Sequence, residues 1–149
     1  MVDANPFINA LIGKSVSHVW NGHGSALFIE FGELTPKKRA NGSDGNPVGE
    51  ITLMIEWSWR FERQYSILGG SWSSKRKWTG MFKKITGSSV MNVEIFGNLP
   101  EIYITLSNGL RIVSFMTAEG QPEWTLLTRN PSLGHLCVKR GRLSIDTGR

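Results

Sequence analysis

The chain has 149 residues, of which 40% are hydrophobic and 19% charged, proportions that are typical of one globular domain. No apolar run approaches the ~20 residues that a membrane-spanning helix needs, and the sequence starts without the basic and apolar segments of a secretory signal. Cys137 is the only cysteine, which excludes an internal disulfide and predicts a cytoplasmic location. The net charge of +5 permits an anionic partner without requiring one.

The N-terminal part of the chain predicts a short helix followed by a hairpin. Residues 6–14 place apolar side chains at helical spacing and end near a glycine, which predicts the helix. A β-branched segment at 15–20 runs into residues 21–22 (Asn-Gly), a strong hairpin signal, and the next apolar run is the returning strand. Val16 and Val19 are an odd number of residues apart, so a regular strand would place one of them outside the core.

The segment 51–61 has the clearest strand pattern in the chain. Apolar and polar residues alternate strictly along it, which predicts one continuous strand with a buried face. The residues of that face are Ile51, Leu53, Ile55, Trp57, Trp59 and Phe61. The preceding residues 33–48 combine a basic cluster with Asn, Gly, Ser, Asp and Pro. This composition predicts a solvated, mobile loop inserted in the first half of the chain.

The second half predicts a weak helix and a further series of short strands. Residues 75–84 are compatible with a short helix, although their apolar pattern is weak. The strands are predicted at 90–96, 102–106, 110–116, 123–128 and 135–145, with a tight Asn-Gly turn before the third of them. Short strands separated by turn signals are typical of a sandwich or barrel rather than of a parallel sheet with crossover helices.

A repeated segment indicates that the chain is built from two related halves. The heptapeptide GKSVSHV at 13–19 recurs 74 residues later as GSSVMNV at 87–93. Self-similarity of this kind speaks for duplication, so we predict repeat halves at about 12–72 and 86–145 within one domain over 1–149. The predicted fold is mainly β: a single-domain antiparallel β-sandwich or barrel of two related β-meander halves, with a short N-terminal helix.

Four blocks of the sequence resemble a group of small bacterial proteins to which no activity is assigned. The blocks are LFIEFGEL at 27–34, IEWSWR at 55–60, ILGGSW at 67–72 and SFMTAEGQPEW at 114–124. The resemblance implies a bacterial, cytoplasmic protein with a one-domain, β-rich fold, and it transfers no catalytic residue. Some proteins of this kind are immunity proteins for secreted toxins.

A first candidate site combines charges and tryptophans around residues 56–60. Glu56 and Arg60 would supply charge, while Trp57, Trp59 and Trp72 would supply the aromatic wall of a small-ligand cleft between the halves. Glu56 and Arg60 would be about 13 Å apart along a strand, so they cannot pair directly. The alternative is structural: the tryptophans fill the core and the charged side chains face solvent.

A second candidate site is the basic and aromatic run 72–84, which contains no acidic residue. Its candidate contact residues are Lys75, Arg76, Lys77, Trp78, Lys83 and Lys84. Positive charge interleaved with aromatic side chains is typical of surfaces that bind single-stranded nucleic acid, and it also suits an anionic protein partner. The alternative is a solvated connection whose aromatics pack inward.

Other patterns in the sequence give little indication of metal binding or catalysis. His135 and Cys137 would share one face of a strand, but two ligands do not make a metal site, and Cys137 is better explained as a small buried hydrophobe. No serine or cysteine has the neighbours of a known catalytic motif, and no phosphate-binding loop occurs. The sequence therefore predicts no catalytic residue, no metal and no cofactor.

These patterns favour a non-catalytic binding or protein-interaction protein of unknown partner, of which an immunity-like protein is one form. One alternative is a small-ligand-binding protein or enzyme with a site between the two halves. A further alternative is a nucleic-acid binder that uses the run 72–84. An exposed sheet edge could also pair two copies into a homodimer. No membrane association is predicted.

Overall fold

The computed structural model describes residues 2–119 and 123–147 and contains two helices and eleven strands within those ranges. The helices are α1 (Asn5–Leu11) and α2 (Lys75–Ile85). The strands are β1 (Val16–Asn21), β2 (Leu27–Phe31), β3 (Ile51–Ile55), β4 (Trp59–Glu62), β5 (Ile67–Gly70), β6 (Val90–Phe96), β7 (Glu101–Leu106), β8 (Arg111–Ser114), β9 (Trp124–Thr128), β10 (His135–Lys139) and β11 (Arg142–Asp146). The predicted short N-terminal helix and the predominance of short strands are confirmed.

The strands form two antiparallel sheets. Sheet A has the order β1-β2-β3-β9-β10-β11, and sheet B has the order β5-β4-β8-β7-β6. Each sheet buries one face in a common apolar core, which gives the sandwich arrangement. Neither sheet closes on itself, so of the two predicted architectures the structure has the sandwich and not the barrel.

The two halves of the chain are interleaved rather than assigned one to each sheet. Strands β1–β3 form a meander in sheet A, and β4–β5 then cross to sheet B. In the second half β6–β8 form a meander in sheet B, and β9–β11 cross to sheet A. Reading β6-β7-β8-β4-β5 across sheet B therefore matches β1-β2-β3-β9-β10 across sheet A, and β11 is an addition at the edge. Each half contributes to both sheets, which the prediction of two separate meanders did not include.

Reciprocal backbone hydrogen bonds join the two copies of the repeated heptapeptide. The Gly13 N–H donates to the Val90 carbonyl at 2.8 Å. The equivalent Gly87 N–H donates to the Val16 carbonyl at 2.7 Å. Both glycines have a left-handed φ, +87° and +91°, which residues with a side chain rarely adopt. The repeated glycines thus end the two helices in the same way and lead the chain into equivalent strands.

A β-bulge explains how two valines at an odd spacing are both buried. Val16 and Val19 both lie in the core, although a regular strand would place them on opposite faces. The pairing of β1 with β2 shifts register between Val16 and His18. The extra residue reverses the alternation, so that both side chains point inward. The same shift occurs in β6 between Val90 and Asn92.

The prediction of one continuous strand over 51–61 is wrong. The segment contains β3 in sheet A and β4 in sheet B, joined by a crossing at residues 56–58. The apolar alternation persists because both sheets face the same core. Trp57 lies in the crossing and is 43% exposed, whereas Trp59 at the start of β4 is 0% exposed. Alternation therefore identified the buried residues on either side of the crossing but not the crossing itself.

Helix α2 closes one side of the sandwich. Its apolar side chains follow the spacing i, i+3, i+4, i+7, of which Trp78, Met81 and Ile85 are buried and Phe82 is partly buried. The helix contacts β1 at the edge of sheet A and β5 at the edge of sheet B. Its Trp78 ring lies 5.5 Å from that of Trp59. Helix α1 has the equivalent position beside β6.

The loop between β2 and β3 covers a buried carboxylate. Glu30 is 0% exposed on the outer side of sheet A. Its carboxylate accepts hydrogen bonds from the Trp20 indole at 2.9 Å, from the Gly49 N–H at 3.0 Å and from the Thr52 hydroxyl. Residues 33–44 are exposed, as expected of a solvated loop, but the end of the segment packs onto the sheet. This loop therefore also has a structural role that its composition did not indicate.

Candidate functional site

The exposed side of α2 carries five basic residues, which we call the α2 basic surface. They are Lys75, Arg76, Lys77, Lys83 and Lys84, all of them exposed. No acidic residue occurs in the helix. Because the apolar residues of α2 face the core, its basic residues necessarily face solvent together. The structure thus brings five of the six predicted contact residues of this run onto one surface, while the sixth, Trp78, is buried.

Helix α1 provides an internal comparison for the charges of α2. The two helices end with equivalent hydrogen bonds, from Ile12 to Ile8 and from Thr86 to Phe82, and the offset of 74 residues aligns them. At the positions equivalent to Lys77, Lys83 and Lys84 the first half has Asp3, Asn9 and Ala10. The same fold position therefore exists in this protein without positive charge. The basic residues of the last turn, Lys83 and Lys84, are therefore not required by the fold, whereas the first turn of α2 has no helical counterpart because α1 begins at Asn5.

The first turn of α2 is electrostatically unfavourable for the helix. Lys75, Arg76 and Lys77 occupy this turn, which has no acidic residue, and Ser74 before it makes no side-chain capping hydrogen bond. The helix macrodipole places partial positive charge at this end, so each cation there is destabilising. Lys83 and Lys84 in the last turn interact favourably with the opposite end. The sequence therefore has three cations in the first turn although they lower the stability of the helix.

Charge reversal in the first turn is expected to stabilise the protein. Arg76→Glu together with Lys77→Glu should raise the free energy of unfolding by about 1–2 kcal/mol, because two adverse charges become two favourable ones. Denaturant unfolding of the double variant measures this change. Lys84→Glu, at the other end of the same helix, is the matched control and should lower stability. A double variant that is less stable than the wild type would contradict this account of the helix.

A groove of about 590 Å³ runs between α2 and the edge strand β1. We call it the α2–β1 groove. Its lining comprises His18, Val19, Trp20, Asn21 and Asn46 on one side and Lys75, Trp78, Thr79, Phe82, Lys83 and Thr86 on the other. The volume lies within the usual range of binding pockets, and an apolar floor with a few polar groups is their usual composition. The α2 basic surface therefore extends into a concave site.

The charged groups of the groove are its lysines. The Trp20 ring stacks on Phe28 with a centroid distance of 4.0 Å, and its N–H is used by Glu30. His18 Nε2 is 2.9 Å from the side-chain oxygen of Asn46. The Lys75 ammonium lies 5.7 Å from the centre of the Trp78 ring, in a cation–π arrangement. Aromatic and amide groups thus shape the groove, while the ammonium groups of Lys75 and Lys83 give it positive charge.

The residues of the first candidate site are not brought together. Trp59 is fully buried, and its indole N–H donates to the Ser25 carbonyl at 2.7 Å, so it cannot form the wall of a ligand cleft. Trp72 is 78% exposed, and Trp57 and Glu56 are exposed in the crossing between the sheets. The predicted aromatic wall therefore consists of one core residue and two exposed residues.

Arg60 belongs to a polar arrangement on the outer face of sheet B. Its guanidinium pairs with Glu62 at 2.8 Å and lies 5.4 Å from the centre of the Phe115 ring. The Tyr103 hydroxyl donates to the same Glu62 carboxylate at 3.1 Å, and burial with the nearby charge of Glu62 raises the pKa of Tyr103. Glu56 follows β3 in the crossing, on the side of sheet A, where its N–H donates to the Glu123 carbonyl at 3.1 Å. Glu56 and Arg60 are thus on different sheets, and no shared site forms between them.

A second cleft, of about 290 Å³, lies on the outer face of strands β9 to β11. It is lined by Glu56, Glu123, Thr125, Leu127, His135, Cys137, Val138, Lys139 and Asp146. His135 and Cys137 share this face, as their spacing predicted. The His135 Nδ1 accepts the Thr128 N–H at 3.1 Å. Burial raises the pKa of the Cys137 thiol, which makes it a poor nucleophile at neutral pH.

The carboxyl group of Glu123 in this cleft is expected to make stability depend on pH. Burial, followed by the charge of Glu56, raises the pKa of Glu123 in the folded protein. A raised pKa contributes stability below the unfolded value, and that contribution is lost as pH rises through the folded value. Glu123→Gln should therefore be more stable than the wild type at neutral pH, with the difference vanishing in acid. Unfolding curves across this pH range measure the effect, and a constant difference would contradict it.

Comparison with protein-family models, curated proteins and solved structures finds no match for this chain. Among residues 2–119 and 123–147, no group of three or more His, Cys, Asp or Glu side chains is placed to hold a metal ion. Of the helices in this part of the chain, none has the length and apolar composition needed to cross a bilayer.

Proposed function

We propose that this protein is a non-catalytic, cytoplasmic binding protein that holds an acidic protein partner against the α2 basic surface. The observation that carries the proposal is the difference between the two equivalent helices. Helix α2 has five exposed basic residues, whereas α1 has none at the equivalent described positions. The last-turn lysines are not required by the fold and the first-turn charges oppose the helix dipole, so both groups are best explained by a partner of opposite charge.

A protein partner is favoured over nucleic acid by the position of the aromatic residues. Binding of single strands uses exposed aromatic rings on which bases stack. In the run 72–84, Trp78 is buried, Phe82 is partly buried and Trp72 is exposed. The aromatic side chains that made the run resemble a nucleic-acid site thus serve mainly the core. The exposed surface that remains is basic and largely without stacking platforms.

A non-catalytic role is favoured by the state of the second cleft. Its thiol is buried and has a raised pKa, and its histidine accepts a backbone hydrogen bond at Nδ1. The two charged residues proposed for a ligand cleft between the halves, Glu56 and Arg60, lie on different sheets. These contacts are those of a stable surface rather than of a reacting centre.

The proposal is tested by affinity capture from a lysate of the native host, with the full chain as bait. We expect one acidic protein to be retained at low salt and released as the salt concentration rises, because the contact depends on exposed charges. Mass spectrometry identifies what is retained. Retention of a partner that is not acidic, or retention that does not respond to salt, would contradict the proposal, as would an empty capture by folded bait.

A further inference from the structure

We infer that the α2–β1 groove receives an extended acidic segment of the partner, which adds as a strand to the edge of β1. This inference rests on the proposed function and specifies how the partner is held. It combines three features: unused backbone groups on β1, two lysines at a suitable separation, and an equivalent edge, that of β6 beside α1, which lacks the positive charge.

The backbone of β1 presents hydrogen-bonding groups to the groove. The Gly22 N–H donates to the Ala26 carbonyl at 2.9 Å, which makes these residues a hydrogen-bonded pair. Hydrogen-bonded and non-hydrogen-bonded pairs alternate along an antiparallel ladder. Val19 and Asn21 are paired with β2 in the non-hydrogen-bonded positions, so their N–H and C=O groups point away from β2. Because β1 is the edge strand of the described sheet A, these groups face the groove.

The lysines of the groove match the spacing of an extended chain. Lys75 and Lys83 are eight residues apart on α2, which corresponds to about 12 Å along the helix axis. Four residues of a strand span about 13 Å. Carboxylates at positions i and i+4 of an added strand would therefore reach both ammonium groups. Side chains at alternate positions of that strand share one face, so the side chain at i+2 would lie between the two carboxylates, over the partly buried Phe82.

The equivalent strand edge, that of β6 beside α1, lacks the positive charge of the α2–β1 groove. The residues equivalent to His18 and Trp20 are Asn92 and Glu94, and Lys83 is replaced by Asn9. The Asn92 amide donates to the Glu94 carboxylate at 3.2 Å. The edge of β6 is thus bordered by a negative charge. An acidic strand is repelled from this side and attracted to the α2–β1 groove, which favours strand addition at β1 over β6.

The test titrates the full chain with a short, capped peptide of alternating Glu and Val, which presents carboxylates on one face of a strand. We expect saturable binding to the wild type that weakens with salt. Amide hydrogen exchange at Val19 and Asn21 should slow at least tenfold on saturation, because both N–H groups become hydrogen-bonded. A peptide of alternating Glu and Pro has the same charge and cannot complete the ladder, so it should bind at least tenfold more weakly.

Two variants separate the backbone contribution from the charges. Asn21→Pro removes an N–H that faces the groove without removing a hydrogen bond to β2. This variant should bind the Glu-Val peptide at least tenfold more weakly than the wild type does. Asn21→Ala keeps the backbone and should bind as the wild type does. Unchanged binding by Asn21→Pro together with unchanged exchange at Val19 would overturn strand addition, as would absence of peptide binding.

The outcomes also distinguish this inference from the proposed function. If the partner captured from lysate requires the α2 lysines while the peptide leaves β1 exchange unchanged, the proposed function stands and strand addition fails. If the lysines are not required for that partner, the proposed function fails as well. An oligodeoxythymidine that binds the groove more tightly than the peptide would overturn the inference in favour of nucleic acid.

Discussion

Replacing Trp59 by alanine is expected to lower the free energy of unfolding by about 3–5 kcal/mol, the usual cost of truncating a large buried aromatic side chain. Trp59 is 0% exposed and its ring lies 5.1 Å from Phe61 and 5.5 Å from Trp78. Its indole N–H also satisfies the Ser25 carbonyl at 2.7 Å, an acceptor that the substitution leaves without this donor. Denaturant unfolding of the variant and the wild type, analysed with the same dependence of free energy on denaturant concentration, measures the loss.

The matched control for this prediction is Trp57→Ala, two residues earlier. Trp57 is 43% exposed in the crossing between the sheets, so its truncation should cost well under half as much as that of Trp59. A single continuous strand would instead bury both rings on one face and make both substitutions costly. Equal losses for the two variants would therefore contradict the crossing of the chain from sheet A to sheet B.

Charge reversal of the two groove lysines is expected to weaken binding of the partner strongly while leaving the fold nearly unchanged in stability. Lys75→Glu is favourable in the first turn of α2 and Lys83→Glu is unfavourable in the last, so their dipole effects oppose each other. The cation–π contact of Lys75 with Trp78 is lost, at about 0.5–1 kcal/mol. We expect the affinity for an acidic partner to fall at least tenfold, and titration of the captured partner measures it.

The control for charge reversal changes the net charge equally at another surface. Lys37→Glu with Arg39→Glu lies in the exposed loop between β2 and β3. If binding depends on the α2 basic surface, this variant should keep the affinity of the wild type apart from a small long-range effect. Similar losses in both double variants would show that overall charge, and not the helix surface, attracts the partner.

Local patterns in the sequence predicted the strands but not the crossing between the sheets. Alternation depends only on which side chains meet the core, and both sheets meet the same core, so residues 51–61 gave one uninterrupted signal. The bulge before His18 escaped prediction for a related reason. A single extra residue changes the faces of a strand without changing its composition. The odd spacing of Val16 and Val19 was the sequence signal that indicated this bulge.

The helix α2 could have been recognised more firmly from its apolar residues. Trp78, Met81, Phe82 and Ile85 have the spacing of a helix that packs on a sheet, but the basic residues between them dominate the composition of the segment. The same pattern shows that Trp78 faces inward, which removes it from a nucleic-acid surface. The burial of Glu30 had no local signal, because it depends on a loop that folds back over sheet A from residues 33–48.

The candidate site required the tertiary structure. The sequence places the basic residues in one run, but the α2–β1 groove is formed by elements from both halves of the chain. The repeat was visible as a heptapeptide, whereas its use as an internal comparison depends on the reciprocal bonds between Gly13 and Val90 and between Gly87 and Val16. Only that alignment shows that the positions of Lys83 and Lys84 are free to be uncharged.

The most direct test of the α2 basic surface is lysine footprinting of the wild-type protein with and without its captured partner. Acetylation by a small reagent reports the accessibility of each ammonium group in the complex. We expect strong protection of Lys75 and Lys83, with Lys37 and Lys139 labelled as in the free protein. Protection of Lys37 or Lys139 with unchanged labelling of Lys75 and Lys83 would contradict it.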